Sequence, residues 1–174
     1  MVDEIYFARV RPSAKIPTKR DEDAGFDMWA DFEGDFFVIE SGETKPIPTG
    51  IATAFDSRFY CQIEERSSMA KLGIKKSGGV IDSGYRGEYF ILTFNTNKKP
   101  FIISKIAESE LSDEIEIDGK TYNKQECIIY PYTKAICQMV LQIVPKLTPR
   151  ELSYEELCKI ESERKQGGFG STNF

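Results

Sequence analysis

The sequence predicts an all-β protein, a sandwich or barrel carrying one or two short helices. Apolar and polar residues alternate along several short runs, turn signals recur at roughly ten-residue spacing, and helical periodicity is scarce. At 174 residues one domain spanning 1–174 is expected, large enough to bury a core without covalent staples.

Residues 5–10 read as the first strand, followed by a polar loop with Pro12, Pro17 and a charged run over 19–23. Phe26, Met28 and Ala30 then alternate with Asp27 and Trp29, so Asp27 projects from the face opposite Phe26. Taken alone, it reads as a solvated strand carboxylate. A short apolar strand covers 36–39, and Phe59, Cys61 and Ile63 alternate with Tyr60, Gln62 and Glu64. Residues 65–74 break the pattern. Ser67 or Ser68 can cap a helix of one or two turns that Gly73 ends. Arg66 and two hydroxyls beside free N–H groups would suit an anion.

The stretch Gly78-Gly79-Val80-Ile81-Asp82-Ser83-Gly84-Tyr85-Arg86-Gly87 organises the rest. Its glycines allow tight turns and close approach of a ligand to the backbone. Val80-Ile81 is strand-like and sets Asp82 at a strand rim, although an ordinary hairpin with a turn aspartate would look the same. Residues 89–95 are apolar on both faces and are expected to form a central strand. Residues 96–126 turn acid-rich and read as an inserted surface hairpin or loop, either decoration or a partner-binding element. Residues 135–144 form the most apolar strand, and Gln138 and Gln142 share a face with Ile136 and Val140. An amide in such a strand requires a backbone or ligand partner. Ser153-x-x-Glu156 predicts a capping box and a helix through Ile160. Residues 163–174 form a glycine-rich arm, either a loose tail or a flap that orders over a ligand.

Composition removes several functions. A net charge of −5 gives no basic footprint for duplex nucleic acid or an anionic membrane. The chain has no histidine, which excludes Cys/His zinc sites and His-dependent triads. Its four cysteines form no CxxC pair, and Cys61 and Cys137 sit in apolar strand runs, as expected in a reducing compartment. The Met1-Val2-Asp3-Glu4 start is acidic and no long apolar run follows, so an intracellular, cytoplasmic location is expected.

Five segments together resemble the trimeric dUTPase family. Asp23-Ala24-Gly25-Phe26-Asp27 is similar to its first motif, Arg66-Ser67-Ser68-Met69-Ala70 to the second, and the run 79–87 to the third. Ile136-Cys137-Gln138-Met139-Val140 is similar to the fourth, and Arg164 with residues 167–172 to the fifth. The chain departs from the pattern at Ala135, where the fourth motif usually carries Arg or Lys, and at Lys165, where glycine is common.

The resemblance implies a distorted jelly roll or β-barrel of the β-clip type and hydrolysis of dUTP to dUMP and pyrophosphate with Mg²⁺. Asp82 then falls on the carboxylate that deprotonates the attacking water, and Tyr85 on the ring that excludes a ribose 2′-hydroxyl. Gly79, Val80 and Ile81 fall where uracil is read through backbone groups. Arg66, Ser67, Ser68 and Gln138 fall on phosphate contacts, and Asp27 on a residue that holds Mg²⁺ through water. Arg164, Gly170, Ser171 and Thr172 match phosphate contacts of the arm, with Phe169 stacked on the base. A homotrimer with shared active sites is implied as well. In-line attack of water at phosphorus needs a base, a divalent ion and donors for growing charge. Without histidine, Asp82 meets the first need unopposed in its motif. Two alternatives stand beside this reading: a dCTP deaminase of the same fold, and a dUTPase scaffold that also binds a protein through 96–126. The deaminase would need an acid on the strand 89–95, which has none.

Overall fold

The computed structural model describes residues 4–163 and residue 165. Two compact units are resolved, Met1–Val144 and Pro145–Phe174, and every strand described lies in the first. Strands dominate, as the alternation predicts, and they assemble into five small sheets of two to four strands; no closed barrel forms among the described residues. A two-stranded sheet pairs β1 (Ile5–Arg9) with β5 (Ile51–Phe55).

The sheet that carries most of the motif residues has the order β2-β14-β6-β8. Its members are β2 (Phe26–Met28), β14 (Cys137–Ile143), β6 (Phe59–Glu65) and β8 (Val80–Asp82), all antiparallel. Period-two patterning sets its faces. Cys61, Ile63, Cys137 and Met139 are buried, while Gln62, Glu64, Gln138 and Val140 point the other way and are partly exposed. Burial pushes the Cys61 thiol up to about 12.

A second sheet has the order β4-β9-β7, with β4 (Thr44–Pro48), β9 (Phe90–Asn95) and β7 (Ile74–Lys76). β9 is central, as its apolar content predicts, but only one face is covered. Ile91, Thr93 and Asn95 are buried, whereas Phe90 and Leu92 remain 51% and 46% exposed. Each is paired across the ladder with a proline of β4, Pro48 and Pro46. The outer face is therefore an apolar surface, and the sequence alone could not tell which layer covers it.

The third sheet corrects the expectation for 96–126. Here β10 (Phe101–Ser104) is fully buried at the centre of the order β13-β10-β3, parallel to β13 (Ile128–Pro131) and antiparallel to β3 (Phe36–Ile39). A three-residue apolar run is too short to show a period, and so it reads like a surface patch. The excursion is confined to the crossover that follows, where β11 (Glu114–Ile117) and β12 (Lys120–Asn123) form a hairpin. Ile115, Ile117 and Tyr122 of that hairpin pack with Val38 and Ile102 as a small second core.

Two short helices complete the described chain. In α1 (Ser67–Lys71) the cap position is held by Arg66 in an extended conformation, with no side-chain cap bond, rather than by either serine. Gly73 follows at φ +71°, the left-handed residue that ends the helix as predicted. Ser153 and Glu156 form the expected capping box at the start of α2 (Tyr154–Cys158), which stops short of Ile160. No helix among the described residues is long and apolar enough to cross a membrane.

Candidate active site

The first, second and fourth motif segments converge on one polar cavity of about 330 Å³. It is lined by Arg20, Asp23, Ala24, Gly25, Asp27, Arg66, Ser67, Ser68 and Gln138. Strand pairing brings them together: Gln138 on β14 lies directly opposite Asp27 on β2 and Glu64 on β6, and α1 begins where β6 ends. Arg66 Nε pairs with Asp27 Oδ1 at 3.3 Å, and one of its terminal nitrogens donates to the Ala135 carbonyl at 3.3 Å. Gln138 donates to the Glu65 carbonyl at 3.4 Å, so a backbone partner satisfies its amide nitrogen. Gly25 forms the floor. A side chain there would meet Gln138 Oε1 and Val140 at 3.0 Å, so those neighbours would have to give way.

Two residues at or beside the cavity, Arg20 and Tyr130, were not singled out in the sequence. Arg20 forms a forked pair with Asp23, with Nη2 to Oδ1 at 2.8 Å, and that guanidinium holds the Asp23 carboxyl down at about 2. The Arg-x-x-Asp spacing was legible but sat inside a charged run that reads as a solvated loop. Tyr130 donates to the Ala135 carbonyl at 2.8 Å and shares a longer bond with Ser68 Oγ at 3.4 Å. No local signal marks it, because it lies 62 residues from Ser68 in chain order. Ala135 is buried and supplies its carbonyl to Tyr130 and Arg66, so its place carries no side-chain cation.

The third motif lies at the other end of the same sheet. β8 is the edge strand, so one side of its backbone has no ladder partner among the described residues. Gly79, at φ +154°, brings the chain against β6: its carbonyl accepts from Ile63 N at 2.8 Å, and a Cβ would sit 3.1 Å from the Ile63 carbonyl. Val80 is exposed and Ile81 partly so, and Asp82 ends the strand with its side chain exposed. Tyr85 donates to the Glu88 carbonyl at 3.1 Å and stacks on Tyr89 with ring centroids 6.2 Å apart.

The cavity and Asp82 do not meet within one chain. Asp82 lies level with Tyr60 and Gln142, Asp27 lies level with Gln138, and three strand spacings separate β8 from β2. At ~4.8 Å per strand and ~3.4 Å per residue this places their backbones about 20 Å apart. Arg164, Phe169, Gly170, Ser171 and Thr172, expected as the arm's contacts, lie outside the described residues.

Among the described residues no group of three or more His, Cys, Asp or Glu side chains converges as a metal cage. The donor set that exists is the carboxylate of Asp27 beside the Gln138 amide, with Asp23 near it. One or two carboxylates plus ligand phosphates is a coordination Mg²⁺ accepts, because it keeps several waters.

The dUTPase family model matches residues 11–109. The deoxyuridine 5'-triphosphate nucleotidohydrolase of Rickettsia bellii is 32% identical over 155 residues, covering 87% of this chain and 82% of that protein. The enzyme of the same name from Clostridioides difficile is 30% identical over 156 residues, covering 87% and 85%. A Pol polyprotein of caprine arthritis encephalitis virus is 34% identical over 116 residues, and the match spans only 10% of it. Among solved structures, the dUTPase of Staphylococcus bacteriophage 80alpha with dUPNHPP superposes with a TM-score of 0.72 at 18% identity, covering 98% of this chain and 99% of that one. A variant of the phage phi11 dUTPase, described with a structural Mg(II) ion, gives 0.66 at 17% identity over 88% and 99%. The family model spans more than half of the chain, and the two nucleotidohydrolases are 30% or more identical over most of their own length: the chain belongs to the dUTPase family.

Proposed function

We propose that the chain hydrolyses dUTP to dUMP and pyrophosphate, the reaction that keeps uracil out of DNA and supplies dUMP for dTMP synthesis. The observation that carries this reading is the polar cavity. Three segments far apart in sequence place two guanidiniums, two hydroxyls, a carboxamide and two carboxylates around a space of about 330 Å³. Such a lining suits a triphosphate bearing a divalent ion. In this reading Arg66, Ser67, Ser68 and Gln138 donate to phosphate oxygens, and Asp27 holds Mg²⁺ through water. When bound, Mg²⁺ would neutralise charge on the phosphate oxygens. Asp82 takes a proton from water as the water oxygen attacks the α-phosphorus. The bond from that phosphorus to the bridging oxygen breaks, and pyrophosphate leaves.

The site is proposed to assemble between copies of the chain in a homotrimer. Two observations support this. Asp82 does not line the cavity of its own chain, and strand spacing sets its backbone about 20 Å from that of Asp27. The outer face of β9, with Phe90 and Leu92 beside Pro46, is an apolar surface of the kind a second copy would cover. The edge backbone of β8 then reads uracil, and Tyr85 packs on the deoxyribose. The arm residues Arg164, Phe169, Gly170, Ser171 and Thr172 belong to the same proposal, in which 1–174 is a single dUTPase-like domain.

The test is pyrophosphate release from dUTP, dCTP, dTTP and UTP, with Mg²⁺ and with EDTA. Selective, EDTA-sensitive release from dUTP is expected, abolished in Asp82→Asn while nucleotide affinity is retained. Near-normal turnover by Asp82→Asn would refute the role of that carboxylate. Ammonia release from dCTP would replace the reaction altogether.

A further inference from the structure

A part-buried charged triad holds Glu88, which follows the third motif, and none of its members lines the cavity. Arg11, just past β1, donates Nε to Asp31 Oδ2 at 2.8 Å and one terminal nitrogen to Glu88 Oε2 at 2.8 Å. Its other terminal nitrogen bridges the Asp31 carbonyl at 2.9 Å and Glu88 Oε1. Gly50 N donates to the same Glu88 oxygen at 2.7 Å. Asp31 is 1% exposed. Arg11 holds the Glu88 carboxyl below the ordinary glutamate range, and Glu88 in turn raises Arg11.

Ion clusters of this kind cost desolvation, so their presence is weak evidence for stability and better evidence for a fixed geometry. The geometry fixed here is that of the third motif. Glu88 directly follows Gly87, and its carbonyl accepts the Tyr85 hydroxyl at 3.1 Å. The Tyr85 ring is also stacked on Tyr89, whose hydroxyl bonds Thr53 on β5. A Cβ at Gly87 would collide with the Tyr85 ring, so the turn closes directly on that side chain. The chain of support runs from Arg11 and Gly50 through Glu88 to the ring.

We propose that Glu88, clamped by Arg11 (itself held by Asp31) and the Gly50 N–H, is a positioning residue that sets where the Tyr85 ring lies and thereby sets discrimination against a ribose 2′-hydroxyl. The inference rests on the dUTPase reading of Tyr85 and adds to it the residue that aims the ring. Loss of the Glu88 charge leaves an amide nitrogen facing the Arg11 fork, donor against donor. The turn then relaxes, and space opens beside the sugar.

The experiment compares kcat/KM for dUTP and for UTP in wild type, Glu88→Gln and Arg11→Lys, with the thermal midpoint of each. The wild type is measured first, and absence of dUTP turnover there overturns the function and this inference together. With wild type active, the dUTP-to-UTP selectivity ratio is expected to fall about tenfold in Glu88→Gln, because a looser pocket admits the extra hydroxyl. Arg11→Lys should move in the same direction, since an ammonium cannot replace the fork. A selectivity ratio that stays at the wild-type value, including equal loss on both substrates, would overturn the proposal. So would failure of both variants to fold, which would make the triad a stability element alone.

Discussion

Mixing two inactive variants tests the placement of the catalytic carboxylate most directly. Asp82→Asn removes the base and leaves the cavity whole, while Arg66→Gln damages the cavity and leaves the base whole. Across β2-β14-β6-β8 the two functions are three strands and four residues apart. In the proposed trimer, one copy's base serves another copy's cavity. In a trimer mixed at random from equal amounts, a given site needs an intact cavity from one copy and an intact base from its neighbour. Each condition is met half the time, so about one quarter of all sites recover, or about one third of those in mixed trimers isolated over both tags. Had the base acted within its own chain, every site would carry one lesion and recovery would be nil. The assay is pyrophosphate release from dUTP by co-expressed, doubly tagged variants purified over both tags and corrected for homotypic species. Arg66→Gln mixed with Gln138→Ala is the control: both lesions fall in the cavity, and no activity should return. Failure of the first mixture to rise above its parents would refute the shared site, as would recovery in the control.

Further outcomes follow from single residues. Arg20→Ala should weaken Mg²⁺-dUTP binding about tenfold and flatten its salt dependence, because it removes a cavity guanidinium. Its thermal midpoint should stay put, since the exposed Arg20–Asp23 pair contributes little to stability; calorimetry checks both. Gly79→Ala should cost about 1–3 kcal/mol by urea unfolding, because φ +154° and the nearby Ile63 carbonyl both oppose a Cβ. The pH dependence of stability should carry the signature of Glu88. Its folded value lies below its unfolded one, so its contribution is complete above the ordinary glutamate range and is lost as pH falls through the depressed value. The urea midpoint of wild type should therefore fall more between pH 7 and pH 4 than that of Glu88→Gln; an equal fall would remove Glu88 from the acid response.

Local signals served well wherever one face of an element decides its fate. The alternation at Cys61 and Ile63, the glycine closing α1 and the Ser153 capping box all act within a few residues, and all appear as expected. The motif residues were equally visible, because their spacing matches a known family. What sequence could not reach was set by contacts remote along the chain. Glu88 meets Arg11 from 77 residues away, and Ser68 meets Tyr130 from 62. The burial of β10 depends on flanking strands β3 and β13, which Phe101-Ile102-Ile103 cannot announce. Arg66 displaced the serines from the cap because its side chain is held by Asp27 and the Ala135 carbonyl, a tertiary tether that outweighs cap preference.

The two ends of the β2-β14-β6-β8 sheet divide the chemistry by physical character. At the β2 end, guanidiniums and carboxylates neutralise one another in pairs, Arg66 with Asp27 and Arg20 with Asp23. Such a lining can wait in water without large cost and exchange its partners for a metal-bound polyphosphate. At the β8 end the features are an open backbone edge, an aromatic ring and one exposed acid, which suit a base, a sugar and a water. In the proposed function a nucleotide spans both kinds of surface, yet one chain holds the Asp27 and Asp82 backbones about 20 Å apart. In the proposed trimer a neighbour brings them within a single site, docking on the apolar Phe90–Leu92 face. Assembly and catalysis are one equilibrium in that proposed trimer: dilution below the dissociation constant should remove turnover before it unfolds the chain, and the two curves can be followed separately by pyrophosphate release and by the fluorescence of Trp29, the only tryptophan. Activity that persists in a monomer at such dilution would break this link.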